Sequence, residues 1–313
     1  MINPYVNNLR CVVFDIETMG LAPWKDMIIN AGFFEPETGE LTQFFAKSPA
    51  DEINLINDIL NTLGRYDVVV TYNGDSFDLP YVLTRAKKYK LAKELPRFWS
   101  IDMYRWLRGY WPQAAVMRSL RQKAVEQALG LSDKRTDEIG GGECISLYNR
   151  YLMSDDEEAK RLILLHNADD VAQLGKIFTG VKALPFDRIA FELGFCFKTD
   201  DSGLIRVLET RLDRNNVFVK ANKEPGGIPS VIFEDCFELE YEPLKGDISL
   251  KIALSSYEGR RFVDLTRLPV DASAFKELSG YHSDFLVLAD EKEVKYREIN
   301  ELTRLMLSGK GLY

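Results

Sequence analysis

From Cys11 to Glu17 apolar and polar positions alternate: Val12, Phe14 and Ile16 fall on one side, and Val13, Asp15 and Glu17 on the other. Period-two alternation predicts a strand. Residues 28–34 and 41–46 predict two more, separated by Glu35-Pro36-Glu37-Thr38-Gly39-Glu40, whose composition is that of a turn. The pattern then changes to helical spacing over residues 51–64, with Ile53, Ile56, Ile59, Leu60 and Leu63 on one stripe and Gly64 as the stop. A β-branched strand at 67–72, a turn at Asn73-Gly74-Asp75 and a helix over 77–91 follow, the helix ending in Lys and Arg as its dipole favours. Residues 99–106 read as a strand or a helix start, and 119–129 as a helix closed by Gly130. Ser154 and Glu157 form the S-x-x-E pattern of a capping box. The helix they open is expected to run to about residue 174, supported by the i,i+4 pairs Asp156–Lys160 and Glu157–Arg161.

After Pro185 short alternating runs dominate, at 204–212, 217–221, 230–241, 248–254 and 285–289, before an amphipathic helix at 296–307. Pro225-Gly226-Gly227 and Lys245-Gly246-Asp247 punctuate them as turns. The expected architecture is an α/β domain over residues 1–185, built on a mixed sheet flanked by helices. A β-rich domain ending in a helix follows over 186–313.

Composition narrows the partners. Residues 1–185 hold 22 Lys+Arg against 25 Asp+Glu and the remainder 18 against 23, so neither part is a basic nucleic-acid module. A nuclease remains compatible, because bound cations bring their own positive charge. Cys11, Cys144, Cys196 and Cys236 are scattered, with no CxxC and no histidine cluster, which fits reduced thiols in a cytoplasm. No apolar signal core or membrane-length apolar run occurs, so neither secretion nor membrane insertion is expected.

Three segments carry chemistry. In Phe14-Asp15-Ile16-Glu17-Thr18-Met19-Gly20-Leu21, strand geometry sets Asp15 and Glu17 side by side. Two carboxylates on one face of an apolar strand repel, and are costly unless a cation sits between them. All-oxygen ligands suit Mg²⁺ or Mn²⁺. In Tyr72-Asn73-Gly74-Asp75-Ser76-Phe77-Asp78-Leu79-Pro80-Tyr81, Asp78 falls in the first turn of a helix after a buried strand. In His166-Asn167-Ala168-Asp169-Asp170, His166 and Asp170 share a helix face, a base beside a carboxylate. Each piece alone is commonplace. All three in this order, in these contexts, point to metal-assisted hydrolysis.

These segments resemble the three motifs of the DEDD (DnaQ-like) exonuclease superfamily, which has an RNase H-like fold. "YNGDSFDLPYV" is similar to the second motif in proofreading domains of family B polymerases. The stretch "SLRQKAVEQALG … GGGECISLYNRYL … LHNADDVAQL" resembles the YprB-like RNase H-like branch. The resemblance covers about residues 8–180.

It implies Asp15, Glu17, Asp78 and Asp170 as ligands of two divalent cations, Mg²⁺ or Mn²⁺, and His166 as general base. It implies that Met19, Gly20 and Leu21 cradle the terminal nucleotide while Asn73 and Phe77 shape the pocket. One departure stands out. The superfamily places three residues between Tyr and its last Asp, or four between His and that Asp. His166 has the Tyr-type spacing, and Val171 stands where the other spacing would need the Asp. Asp169 is a second-choice ligand.

The activity implied is 3′→5′ hydrolysis of single-stranded DNA or RNA from its 3′ end, releasing nucleoside 5′-monophosphates. A protein partner could engage residues 186–313, and no membrane is involved. Arg118, Arg121 and Lys123 are candidates to grip substrate, as is the run Arg85 to Lys90, which otherwise reads as a solvated helix face. Trp99, Trp106 and Trp111 could stack bases but read more simply as packing. Gly140-Gly141-Gly142 is expected to act as a hinge, and His282 to lie in a surface loop. The alternative is a non-catalytic nucleic-acid-binding or adaptor protein that retains the fold.

Overall fold

The computed structural model describes residues 3–131, 136, 139–199 and 203–309. The chain divides into two compact units, Met1–Leu184 and Pro185–Tyr313.

The first unit is built on five strands in the order β3-β2-β1-β4-β5. These are β1 (Cys11–Thr18), β2 (Ile28–Phe34), β3 (Leu41–Phe45), β4 (Val68–Thr71) and β5 (Trp99–Asp102). The first three form an antiparallel meander, and β4 and β5 join β1 in parallel. The alternation in β1 serves two faces. Val12, Phe14 and Ile16 pack with α1 (Glu52–Leu63) and α2 (Asp78–Lys88) through Leu55, Ile56, Ile59, Leu79 and Val82. Across the sheet lie α5 (Cys144–Ser154) and α6 (Glu157–Gly180), with Ile29, Leu147, Tyr148, Tyr151 and Ile163 between them. Two shorter helices, α3 (Met103–Tyr110) and α4 (Gln122–Ala128), also belong to this unit.

Several local expectations are corrected. Helix α6 begins after Asp156, whose carboxylate accepts from Ala159 N at 3.0 Å, while Ser154 ends α5 and donates back to Arg150 O. The left-handed Asp155 separates the two helices, so no capping box forms. The ion pairs near this start are i,i+3, Lys160 with Glu157 and Arg161 with Glu158, rather than i,i+4. The helix also runs on past Gly175. That glycine is a contact point: a Cβ there would stand 2.7 Å from the Phe34 ring. Residues 119–121 precede α4 rather than belonging to it. Residues 99–106 are both strand and helix start, β5 into α3, with Asp102 capping Arg105 N at 3.3 Å. Gly141–Glu143 is a single 3₁₀ turn leading into α5.

Arg85 is neither solvated nor available to substrate. It is buried, with its guanidinium paired in two places to the equally buried Glu52. Glu52 also accepts from Tyr89 OH at 2.6 Å and Ile28 N at 2.9 Å, and Arg85 donates to Pro23 O at 3.1 Å. The network ties α1, α2 and the loop before β2 together. Trp99, Trp106 and Trp111 are buried as packing residues.

The second unit holds a six-stranded antiparallel sheet. It comprises β6 (Phe195–Thr199), β7 (Gly203–Leu212), β8 (Asn216–Asn222), β9 (Ser230–Phe233), β10 (Phe237–Glu242) and β11 (Asp247–Ala253), in the order β6-β7-β8-β11-β10-β9. Val217, Val219, Ile248, Leu250, Ile252, Phe237 and Leu239 alternate inward, the period-two pattern of the sequence. The single run expected over 230–241 is a hairpin, β9 and β10. A four-stranded sheet, β12 (Ser255–Tyr257), β13 (Arg260–Asp264), β14 (Tyr281–His282) and β15 (Phe285–Ala289), follows. His282 is exposed, but within a short strand rather than a loop. Helices α7 (Phe186–Leu193) and α8 (Tyr296–Ser308) pack together through Phe191 and Tyr296. Among the described residues no helix is long and apolar enough to cross a membrane.

Helix α6 comes very close to the sheet at Gly32 of β2, where a Cβ would lie 2.1 Å from Asn167 Oδ1. Asn167 is fully buried and held by Gln43 Nε2 at 2.9 Å, so it has nowhere to retreat. Gly32→Ala is expected to cost about 1–3 kcal/mol in chemical denaturation, the usual penalty for overpacking. Adding Asn167→Ala should recover part of that loss. Full stability in Gly32→Ala alone would show that helix and strand are not in forced contact.

Candidate metal centre and nucleic-acid cleft

Asp15 and Glu17 project from the α6 side of β1, opposite Gly32 and Asn30 of β2. Helix α6 lays His166, Asn167 and Asp170 over them. Single carboxylate oxygens of Asp15, Glu17 and Asp170 all lie within 4.8 Å of one another. His166 Nε2 stands 3.7 Å from Glu17 Oε1 and 3.4 Å from Asp170 Oδ2. Asp78, the first residue of α2, is buried and accepts the Ile16 N–H at 3.2 Å. Its turn is set by β4 and β5. Asn73 takes φ +65°, Gly74 lies where a Cβ would strike Thr71 at 2.4 Å, and Asp102 accepts from Asn73 N at 2.9 Å and Asp75 N at 3.3 Å.

Burial and mutual repulsion raise every carboxyl in this group whose shift is resolved. Asp15 is pushed well above the ordinary range, first by desolvation and then by Asp78, Glu17 and Asp170. Glu17 rises to about 8 through burial and the Asp170 charge, and Asp78 to about 7 through burial. Buried carboxyls crowded in this way are a poor arrangement in themselves and a good one for divalent cations, whose charge reverses the repulsion. The donor set is all oxygen, with one imidazole beside it, which fits Mg²⁺ or Mn²⁺.

A cleft of about 670 Å³ opens over this floor. It is lined by Asp15, Glu17, His166 and Asp170 and, along one wall, by Ser119, Arg121, Gln122, Lys123 and Gln127. Of the residues singled out in the sequence, the structure thus brings Asp15, Glu17, His166, Asp170, Arg121 and Lys123 to one cavity, with Asp78 in the carboxylate group beneath. The rest lie elsewhere. Met19 packs in the α5–α6 core, Leu21 is exposed, and Gly20 leaves no room for a Cβ because Asp26 Oδ2 would be 2.2 Å away. Tyr81 OH pins this loop by donating to both Gly20 O and Asp26 O at 3.0 Å. Phe77 packs on Tyr81, Asn73 and Arg118 are exposed, and none of these lines the cleft. Asp169 turns aside to accept from Thr136 Oγ1 at 3.1 Å.

Three contributors had no motif to betray them. Asn167 Nδ2 donates to Asp15 Oδ2 at 3.0 Å and orients it, although only its place between His166 and Asp170 hinted at this. Gln122 Nε2 donates to Asp170 O at 2.9 Å. Cys144, the first residue of α5, places its thiol against Glu17.

A five-stranded sheet in this order, carrying acids on its central strand under a crossing helix, defines an RNase H-like fold. The chain belongs to the RNase H superfamily, whose profile matches residues 12–181. It is 35% identical to a DNA polymerase of Methanocaldococcus jannaschii over 27% of this chain and 6% of the polymerase. It is 29% identical to the uncharacterised protein YprB of Bacillus subtilis over 55% of this chain and 41% of that protein. Among solved structures, the family B DNA polymerase of Pyrobaculum calidifontis aligns at 20% identity and a TM-score of 0.46, covering 58% of this chain and 27% of its own. The chain spans less than half the length of these relatives. The RNase H-like fold and the YprB-like, polymerase-like resemblance expected from the motifs are borne out.

A carboxyl whose folded pKa is raised holds a proton that the unfolded chain has already released. Its contribution to stability is full below the unfolded value and is lost as pH rises through the folded value. For Glu17 that window runs from 4.5 to about 8. In chelator, the melting temperature is expected to fall across this window, and less steeply in Glu17→Gln. An equal slope in both proteins would show that Glu17 titrates normally.

Proposed function

We propose that the chain is a metal-dependent 3′→5′ exonuclease that releases nucleoside 5′-monophosphates from single-stranded nucleic acid. The observation that carries this is the convergence of Asp15, Glu17 and Asp170 oxygens within 4.8 Å of one another, beside His166, on the floor of an open cleft. Membership of the RNase H superfamily and partial identity with two proteins, one of them a DNA polymerase, support it. The order and content of the three DEDD-like motifs favour the 3′→5′ direction.

Asp15, Glu17, Asp78 and Asp170 would hold two divalent cations. When bound, these ions would neutralise the phosphodiester and acidify the attacking water. The chain's own groups do the rest. Asn167 fixes the Asp15 carboxylate through its Nδ2 hydrogen bond. His166, flanked by Glu17 and Asp170, accepts the water's proton at Nε2. Arg121 and Lys123 on the cleft wall bind phosphate oxygens of the strand, contacts that position without reading sequence. Local cationic groups at the cleft reconcile a phosphate substrate with an overall charge of −8.

The test uses 5′-labelled single-stranded DNA and RNA with Mn²⁺, Mg²⁺ or chelator. A ladder shortening from the 3′ end, dependent on metal and at least about 100-fold slower in Asp15→Asn, is expected. Wild-type activity in that variant would remove the carboxylates from catalysis. Loss of both cleavage and any Mn²⁺-induced rise in melting temperature would favour the adaptor reading. His166→Ala should slow cleavage by about 100-fold or more. A rate within a few-fold of wild type would take the proton-accepting role away from His166.

A further inference from the structure

Sequence spacing shows no zinc pattern among the four cysteines and two histidines. The fold nevertheless assembles a second donor set beside the carboxylates. Cys144 Sγ, a Glu17 oxygen and a His166 nitrogen lie within 4.8 Å of one another, and all three side chains are buried. Cys144 is fully buried at the start of α5 among Ile29, Leu147 and Tyr148, and its thiol donates to the Glu17 carboxylate.

We propose that Glu17, Cys144 and His166 form a site for a thiol-seeking divalent ion of the Zn²⁺ class, and that its occupation excludes the Mg²⁺ or Mn²⁺ ions from the neighbouring carboxylates. The inference rests on reading the neighbouring group as a divalent-cation site. The donor chemistry differs sharply between the two sets. Asp15, Glu17 and Asp170 offer only hard oxygens. The second set offers sulfur, nitrogen and oxygen, the mixture that selects Zn²⁺ or Co²⁺ over Mg²⁺. Zinc bonds of about 2.0–2.3 Å put tetrahedral donors roughly 3.4–3.7 Å apart. His166 Nε2 and Glu17 Oε1 are already 3.7 Å apart. As the sulfur–metal bond forms, the thiol proton passes to solvent through the cleft that Glu17 and His166 line. Three protein ligands leave a fourth position open to water.

Exclusion follows from shared residues. Glu17 belongs to both donor sets, and His166 stands between Glu17 and Asp170. A Glu17 oxygen turned to Zn²⁺ is withdrawn from the carboxylate group, and an imidazole whose nitrogen ligates a metal accepts no proton. The ion would therefore act as an inhibitor governed by metal supply rather than as the catalytic cofactor.

The test uses the full chain and Co²⁺ alone, read by visible and near-ultraviolet absorption, so that it does not depend on nuclease activity. Wild type is expected to develop a sulfur-to-cobalt charge-transfer band that stoichiometric Zn²⁺ abolishes. Cys144→Ser and Cys144→Ala, each checked for folding by circular dichroism, should lose the band, although Cys11, Cys196 and Cys236 remain. Saturating Mn²⁺ should raise the Co²⁺ concentration needed for half-development of the band at least about tenfold. Absence of the band in wild type, or its persistence in both variants, overturns the site. A band indifferent to Mn²⁺ overturns the exclusion. If cleavage by Mn²⁺ fails while the band behaves as expected, the exonuclease reading falls and the thiol site stands.

Discussion

Everything at the candidate site depends on how closely α6 approaches the antiparallel strands beneath it. Two glycines permit that approach, Gly32 under Asn167 and Gly175 over Phe34. With the helix at this height, Asn167 reaches the Asp15 carboxylate, and His166 and Asp170 come down on either side of Glu17. Raised by the width of a methyl group, the helix would carry His166 and Asp170 out of register with the strand acids. The arrangement therefore rests on steric permission as much as on attraction.

The acids are then held where they repel. Asp15, Glu17 and Asp78 come from two segments more than sixty residues apart, and each is desolvated. Hydrogen bonds offset part of this: Asn167 donates to Asp15 and the Ile16 N–H to Asp78. The remaining deficit is electrostatic, and a cation corrects it. Under the proposed function, stability and activity would pull in the same direction only with the site filled.

Much of this was legible in the chain because it is periodic. The alternation at 11–17 placed Asp15 and Glu17 on one face, and helical spacing placed His166 beside Asp170. The β-rich texture after Pro185 was visible for the same reason. What escaped was non-local. Asp156 rather than Ser154 caps α6, because Asp155 adopts a left-handed turn that no propensity announces. Gly175 reads as a helix end until Phe34 is seen beneath it. Arg85 lies in a basic run that looks solvated, yet its partner Glu52 is 33 residues away. Cys144 and His166 meet only because α5 and α6 fold back on one another over β1. Substrate-cradling roles for Met19, Gly20, Leu21, Asn73 and Phe77 came from the family resemblance, and these side chains stand apart from the cleft walls.

The buried pairing of Arg85 with Glu52 also bears on how such a chain can diverge. Replacing either residue alone leaves an uncompensated charge in the core, a loss of about 3–5 kcal/mol that a marginally stable domain can scarcely bear. Replacing both with apolar residues of similar volume can be neutral. The two neutral sequences are therefore separated by intermediates that fold poorly. Descendants should keep the pair intact or exchange both members together, so these two positions are expected to covary in lineages that retain this fold, whatever becomes of the acids above them.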